Sequence, residues 1–292
     1  MKIFGLFLLI FTPECAYGKT TVETLAGDAR FSTLVKLVTD AGLVDTLNGG
    51  NFTIFAPTDY AFGLIGDVAL KMLSSNSSVI RDILLYHVSA GRLRANVVHN
   101  DDRITMANGK DARLNYYAKT NKVTIDGKAI MEDMRASNGE IHVIDRVLMA
   151  PTVDMVGYLN IFADKYSTIL GLVKQAGLLA TLQQDNLTLF LPSNAAFAKM
   201  SQTQLTNIAA DQNKLSAILT YHVVKSTVYT AGLYDNDKIV PLNTKDSLIV
   251  TMDQNIMVNS ANVIGADISV TNGVIHLIDS VLVPSGDGNF IG

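Results

Sequence analysis

The chain of 292 residues carries 23 lysines and arginines against 27 aspartates and glutamates, a formal net charge of -4. That balance offers no basic excess to draw in nucleic acid or anionic lipid, and 48% hydrophobic with 17% charged residues is the composition of folded chain. The length suffices for two domains, each able to bury a core of its own.

The first element reads as a targeting segment. Lys2 precedes an apolar run from Ile3 to Phe11, which is too short to cross a bilayer, and Ala16 and Gly18 supply small residues for cleavage. A secretory signal is expected over residues 1–18, with the mature chain beginning near Lys19. The only cysteine, Cys15, lies inside that segment. The mature chain is therefore expected to have no disulfide, thiolate nucleophile or cysteine metal site. No later run is apolar enough to be a membrane span, and the short tail over 286–292 does not read as a hydrophobic anchor.

Leu34, Leu37, Val38 and Ala41 recur at helical spacing, with Gly42 as a stop signal. Phe52 to Ala56 predicts a buried strand, ended by Pro57, and Thr58 is placed to cap a following helix. Ile80, Ile83, Leu84 and His87 mark one face of a helix. Strand signals follow at Ala112 to Tyr117, Lys122 to Ile125 and Ile141 to Leu148.

The whole series then repeats. Phe52-Thr53-Ile54-Phe55-Ala56-Pro57-Thr58-Asp59 returns 135 positions later as Leu187-Thr188-Leu189-Phe190-Leu191-Pro192-Ser193-Asn194, and Tyr86-His87-Val88 returns as Tyr221-His222-Val223. The block from Asn138 to Leu148 returns from Asn272 to Leu282 with eight of eleven positions identical, now 134 apart, so a loop differs in length between the copies. Leu215, Ile218, Leu219 and His222 repeat the helix stripe. Strand signals repeat at Leu248 to Met252, Asn255 to Val258 and Ile275 to Val283. A period this long makes each copy a domain rather than a solenoid unit. The expected division is 19–150 and 155–285, joined by a short segment around Pro151 with no Gly/Ser tract, hence abutting domains. Helices precede strands in each copy, an α+β arrangement.

These three blocks, in order and twice, resemble the fasciclin-domain family: the F-x-P-[ST]-[DN]-x-A-F run at Phe55 and Phe190, the Tyr-His pairs, and the NG-x-I-H-x-I-D-x-VL runs from Asn138 and Asn272. The resemblance covers nearly all of the expected mature chain. It implies two tandem α+β domains, each a β-sheet wedge flanked by several helices, in an extracellular adhesion or matrix protein. It also implies two kinds of contact with an integrin-like cell-surface receptor. One is the Tyr-His region (Tyr86, His87, Tyr221, His222). The other is an Asp-Ile pair before the last strand, kept as Asp267-Ile268 in the second copy and changed to Asp133-Met134 in the first, from which Asp267 is expected to matter more than Asp133. A carboxylate there suits the coordination shell of a receptor-bound divalent cation.

Read from the residues alone, His87 and His222 lie on apolar stripes and suit buried imidazoles, with Asp59 or Thr58, and Asn194 or Ser193, as expected partners. Strand alternation separates His142 from Asp145 and His276 from Asp279, against a ready-made dyad. No catalytic set, metal set or cofactor fingerprint assembles in the sequence. Asn51, Asn76 and Asn186 open Asn-x-Ser/Thr sequons, candidate glycosylation sites in a secreted chain. The expected function is therefore a secreted adhesion or scaffolding protein that binds receptor or matrix proteins, with no enzyme activity, cofactor, nucleic-acid partner or membrane span. The alternatives are a binder of a small apolar ligand in an inter-sheet cavity and a hydrolase using one histidine with Asp59.

Overall fold

The structure is a computed structural model that describes residues 18–243 and 246–284; the expected signal segment, apart from Gly18, and the 286–292 tail lie outside the described residues. The first copy forms seven strands: β1 (Phe52–Pro57), β2 (Val88–Ala90), β3 (Asp102–Thr105), β4 (Asp111–Tyr117), β5 (Lys122–Ile125), β6 (Lys128–Ala136) and β7 (Gly139–Ile144). The second forms β8 (Leu187–Pro192), β9 (Val223–Val224), β10 (Lys238–Ile239), β11 (Leu248–Met252), β12 (Ile256–Val258), β13 (Ala261–Val270) and β14 (Gly273–Ile278). Each copy builds one seven-stranded sheet, in the orders β2-β1-β7-β6-β5-β4-β3 and β10-β11-β12-β13-β14-β8-β9. The first sheet curls until a bridge between Ser89 and Met106 joins its two ends.

The strands read from repeated blocks sit at the centre. β1 pairs in parallel with β7, and β8 with β14, in matching register. A parallel pair is expected to be buried on both faces, and it is: Ile54, Ile141 and Val143 join the core under the helices, while Phe55 and Ile144 join a second core inside the curl with Tyr86, Leu114 and Ile125. The helices close the first of these cores. Helix Ser32–Asp40 turns Leu34, Leu37 and Val38 inward and ends at Gly42, whose φ of 63° is the left-handed conformation that stops a helix cheaply only at glycine. Thr58 and Ser193 cap the helices after the central strands, their hydroxyls accepting from the Ala61 and Ala196 amides, as the sequence predicts.

The two copies pack against each other through β4 and the hairpin beyond it. Ala112 and Leu114 face their own core, while Arg113 and Asn115 on the opposite face are 5% and 0% exposed because the second copy covers them. The Asn115 amide donates to the Thr227 hydroxyl (3.0 Å), and Arg113 Nη1 donates to Asp101 (3.1 Å) and to the Asn186 side-chain oxygen (2.5 Å). The Thr227 hydroxyl also donates to Asp101. Tyr117 Oη accepts from the Tyr229 amide (3.0 Å), and the Thr120 hydroxyl donates to the Ala231 carbonyl (2.9 Å). The aromatic rings are seated on glycines: a Cβ on Gly127 would fall 2.2 Å from the Tyr229 ring, and one on Gly232 2.4 Å from the Tyr117 ring.

Gly127 also holds a φ of 76°, so a methyl there meets both backbone strain and an aromatic ring. Gly127→Ala is expected to lower the melting temperature of the full chain by about 5–10 °C in circular dichroism, while Gly63→Ala, which meets nothing within 4 Å, leaves it within about 2 °C. Equal behaviour of the two variants would show that Tyr229 is not seated on Gly127.

Candidate functional site

The Tyr-His pairs are structural anchors in both copies. Tyr86, His87, Tyr221 and His222 are each at most 2% exposed. His87 donates from Nδ1 to the Ile83 carbonyl (2.7 Å) and accepts at Nε2 from the Leu148 amide (2.9 Å). His222 does the same with Ile218 and Leu282. Each imidazole thus ties the end of a helix to the segment after the last strand, with one tautomer fixed and both nitrogens used. Burial lowers both histidines to about 4, opposed by the backbone hydrogen bond. The partners expected from sequence are corrected here. Asp59 accepts from the Ser32 hydroxyl and the Thr33 amide, and Asn194 accepts from the Thr168 amide, so both brace a neighbouring helix instead.

The residues before the last strand behave differently in the two copies. Asp133 sits opposite His142 in the β6–β7 register, and its Oδ1 lies 2.7 Å from His142 Nδ1, while His142 Nε2 faces the Leu93 carbonyl at 2.8 Å. This cross-strand pair was not legible from the Asp three residues along the same strand; Asp145 instead contacts Arg146, and Asp279 holds Asn262 and Lys199. The Asp133 side chain is 51% exposed, and its second oxygen has no hydrogen-bond partner among the described residues. Asp267, by contrast, has a φ of 57° within an irregular stretch of the β13–β14 pairing. That turns its carboxylate away from His276 and onto the amide (2.8 Å) and hydroxyl (2.5 Å) of Thr230, at the groove between the copies. His276 Nδ1 then accepts from the Asp267 backbone (3.3 Å). Ile268 is half-buried against the core under the helices of the second copy, with Ile275 and Leu189.

A buried polar centre that the sequence did not single out lies inside each curled sheet. In the second copy Asn259 accepts at Oδ1 from the Ile249 amide (2.9 Å) and donates to Tyr221 Oη (3.0 Å), and Tyr221 lies within reach of the Ser247 carbonyl (3.3 Å). In the first copy Asp126 takes the place of Asn259: Oδ1 accepts from the Arg113 amide (2.9 Å), Oδ2 meets Tyr86 Oη (2.7 Å), and Tyr86 meets the Asp111 carbonyl (3.1 Å). A protonated Asp126 reproduces the asparagine network bond for bond. Burial drives its carboxyl above the usual carboxylate range, against the hydrogen bonds from Tyr86 and Arg113. The shared signal was a left-handed Asx in each hairpin, φ 46° and 51°, which an offset-based comparison misaligns by one or two residues.

Of the sequon residues, Asn51 and Asn76 are exposed, and the Asn76 oxygen caps helix Ser77–Leu85. Asn186 is half-buried against Arg113 at the contact between copies. Among the described residues no group of three or more metal-ligating side chains gathers, and no helix is long and apolar enough to cross a membrane.

The Fasciclin domain model matches residues 29–150 and 164–284. The chain belongs to the fasciclin-domain family. It is 28% identical over 239 residues to transforming growth factor-beta-induced protein ig-h3 of Sus scrofa, covering 80% of this chain and 35% of that protein, and 29% identical over 240 residues to human periostin, covering 80% and 28%. This fasciclin chain thus spans about a third of the length of those relatives. Among solved structures it resembles the FAS1 domain pair of the insect cell adhesion molecule Fasciclin I, at 20% identity, with a TM-score of 0.43, over 89% of this chain and 98% of that one.

Asp126 titrates with a definite sign. Its folded pKa lies above the ordinary 3.8, so the stability that its proton contributes is complete below about 3.8 and is lost as pH rises through the folded value. Asp126→Asn, which fixes the neutral arrangement, is expected to stabilise the chain by about 1–2 kcal/mol at pH 7, and the gain should vanish as pH approaches 4. Thermal unfolding of both proteins at the two pH values checks this; a variant less stable than the parent at pH 7 would mean that the carboxylate is required as an anion.

Proposed function

We propose that this fasciclin protein is a secreted adhesion or matrix-scaffolding protein, divided near Pro151 into the domains 19–150 and 155–285, that engages a cell-surface receptor or matrix protein through the outer face of β6. The observation that carries the reading is Asp133: a carboxylate paired in register opposite His142 just past a bulge in β6, oriented by that buried histidine and open at one oxygen. Exposed Met131, Glu132 and Arg135 surround it. A fixed carboxylate with a free oxygen suits a receptor-bound divalent cation, which takes hard oxygen ligands at little ordering cost when they are pre-oriented. Asp267 and Ile268 rank second, because Thr230 occupies both Asp267 oxygens and Ile268 is half-buried. Tyr86, His87, Tyr221 and His222 rank last as contacts, since a partner would have to unfold their surroundings to reach them. Asn51 and Asn76 are the favoured glycan acceptors, with Asn186 third.

The other readings have less behind them. The apolar spaces lined by Leu34, Val38 and Ile54 in the first copy and by Ile169, Val173 and Leu189 in the second measure about 20 and 10 Å³, room for about one water molecule at most. A hydrolase would need a free imidazole nitrogen at His87 or His222, and both are held by backbone.

Cell attachment to the immobilised chain, measured with and without divalent cations, separates the candidates. Asp133→Ala is expected to reduce cation-dependent attachment at least fivefold and Asp267→Ala less than twofold, with both variants folded by circular dichroism. Full attachment to folded Asp133→Ala would remove β6 from the adhesive surface.

A further inference from the structure

Between the two copies lies a polar cavity of about 240 Å³, lined from the first copy by Arg103, Lys110, Asp111, Arg113 and Asp126 and from the second by Tyr229 and Thr271, with Pro151 of the joining segment at its edge. This is far more space than the roughly 10–15 Å³ one water needs. Three basic side chains meet here in a chain whose net charge is -4, and all three come from the first copy. Arg113 is the decisive one. It is 5% exposed, its Nη1 is spent on Asp101 and Asn186, and its Nε and Nη2 make no hydrogen bond among the described residues although the side chain lines the cavity. These donors are not closed off by protein, and an acceptor entering the cavity can meet them.

The other two cations stand at the rim and are held loosely. Arg103 pairs with Asp185 (3.0 Å) and Lys110 with Asp82 (3.0 Å), in partly exposed ion pairs of the kind that contributes little and can be exchanged. The acidic groups in the wall have bonds of their own, although Asp111 is exposed and uses only one oxygen among the described residues. Asp111 accepts from the Thr105 hydroxyl (2.9 Å), and Asp126 is enclosed by Tyr86 and the Arg113 amide. In the second copy the position of Arg113, defined by the same amide bond to the left-handed Asx, is Ile249. The site therefore has no counterpart there and belongs to the pair as assembled.

We propose that this cavity binds a tetrahedral oxyanion, sulfate or phosphate, free or as the ester of a sugar, with Arg113 at the floor and Arg103 and Lys110 closing from the rim. Oxygens directed to several corners match three cations of one hairpin, Arg103 on β3, Arg113 opposite it on β4 and Lys110 just before β4, better than a planar carboxylate does, and the space beyond one oxyanion leaves room for the group that carries it. Because the walls come from both copies, bound ligand also fastens them together.

Titration calorimetry of the full chain with inorganic sulfate, inorganic phosphate and glucose 6-sulfate, against glucose and chloride at matched ionic strength, tests this. Saturable binding of an oxyanion, with none of glucose or chloride, is expected; equal affinity for the free anion and the ester marks a free-anion site, and tighter binding of the ester marks a sulfated or phosphorylated sugar. The double variant Arg103→Gln, Lys110→Gln alters only partly exposed side chains and should melt like the parent while binding at least tenfold more weakly. No saturable binding of any oxyanion, or equal affinity in parent and variant, would overturn the proposal.

Discussion

A strand buried on both faces organises this molecule. β4 turns Ala112 and Leu114 into its own core and Arg113 and Asn115 into the neighbouring copy. The inner pair is apolar, as a core requires. The outer pair is polar, and it is tolerated because Asp101 of the same copy and Asn186 and Thr227 across the contact supply partners, although Asn115 Oδ1 has none among the described residues. A charged side chain buried in this way stabilises little by itself, but a shift of one copy against the other costs Arg113 its bond to Asn186 and Asn115 its bond to Thr227.

The contact is also one-directional. The second copy's equivalent strand, β11, keeps Leu248 and Val250 inside but leaves Thr251 exposed and Ile249 half-exposed. The same structural position is thus used once as an interface and once as ordinary surface. From Asp111 to Asp126 the first hairpin has three more residues than the second has from Ser247 to Asn259, and those extra residues are what reach Thr227, Tyr229 and Ala231. The two copies thus differ in what they supply: the first contributes the longer hairpin, the cavity's cations and the open Asp133, the second the segment from Thr227 to Ala231 that the hairpin meets.

How much of this was legible from sequence follows from where the constraints are local. The central strands, the Thr58 and Ser193 caps and the inward histidines were legible because their burial and capping depend on near neighbours in the chain. The partners of His87 were not, since Ile83 and Leu148 act through backbone that any side chain could carry. β6 escaped because its middle, from Met131 to Asp133, is exposed on consecutive positions and shows no alternation. The hairpin insertion escaped because gains and losses nearly cancel between the repeated blocks, reducing to a net change of one residue. Asp133 and Asp267 look equivalent at constant offset; only the left-handed conformation of Asp267 directs the two carboxylates to different partners.

A two-faced strand makes two domains into one body. Rotational correlation times from nitrogen-15 relaxation, measured separately for amides of residues 19–150 and 155–284 in the full chain, test it most directly. One common value is expected, that of a single rigid particle containing both copies. Two distinct and shorter values, each close to that of a single domain, would contradict it.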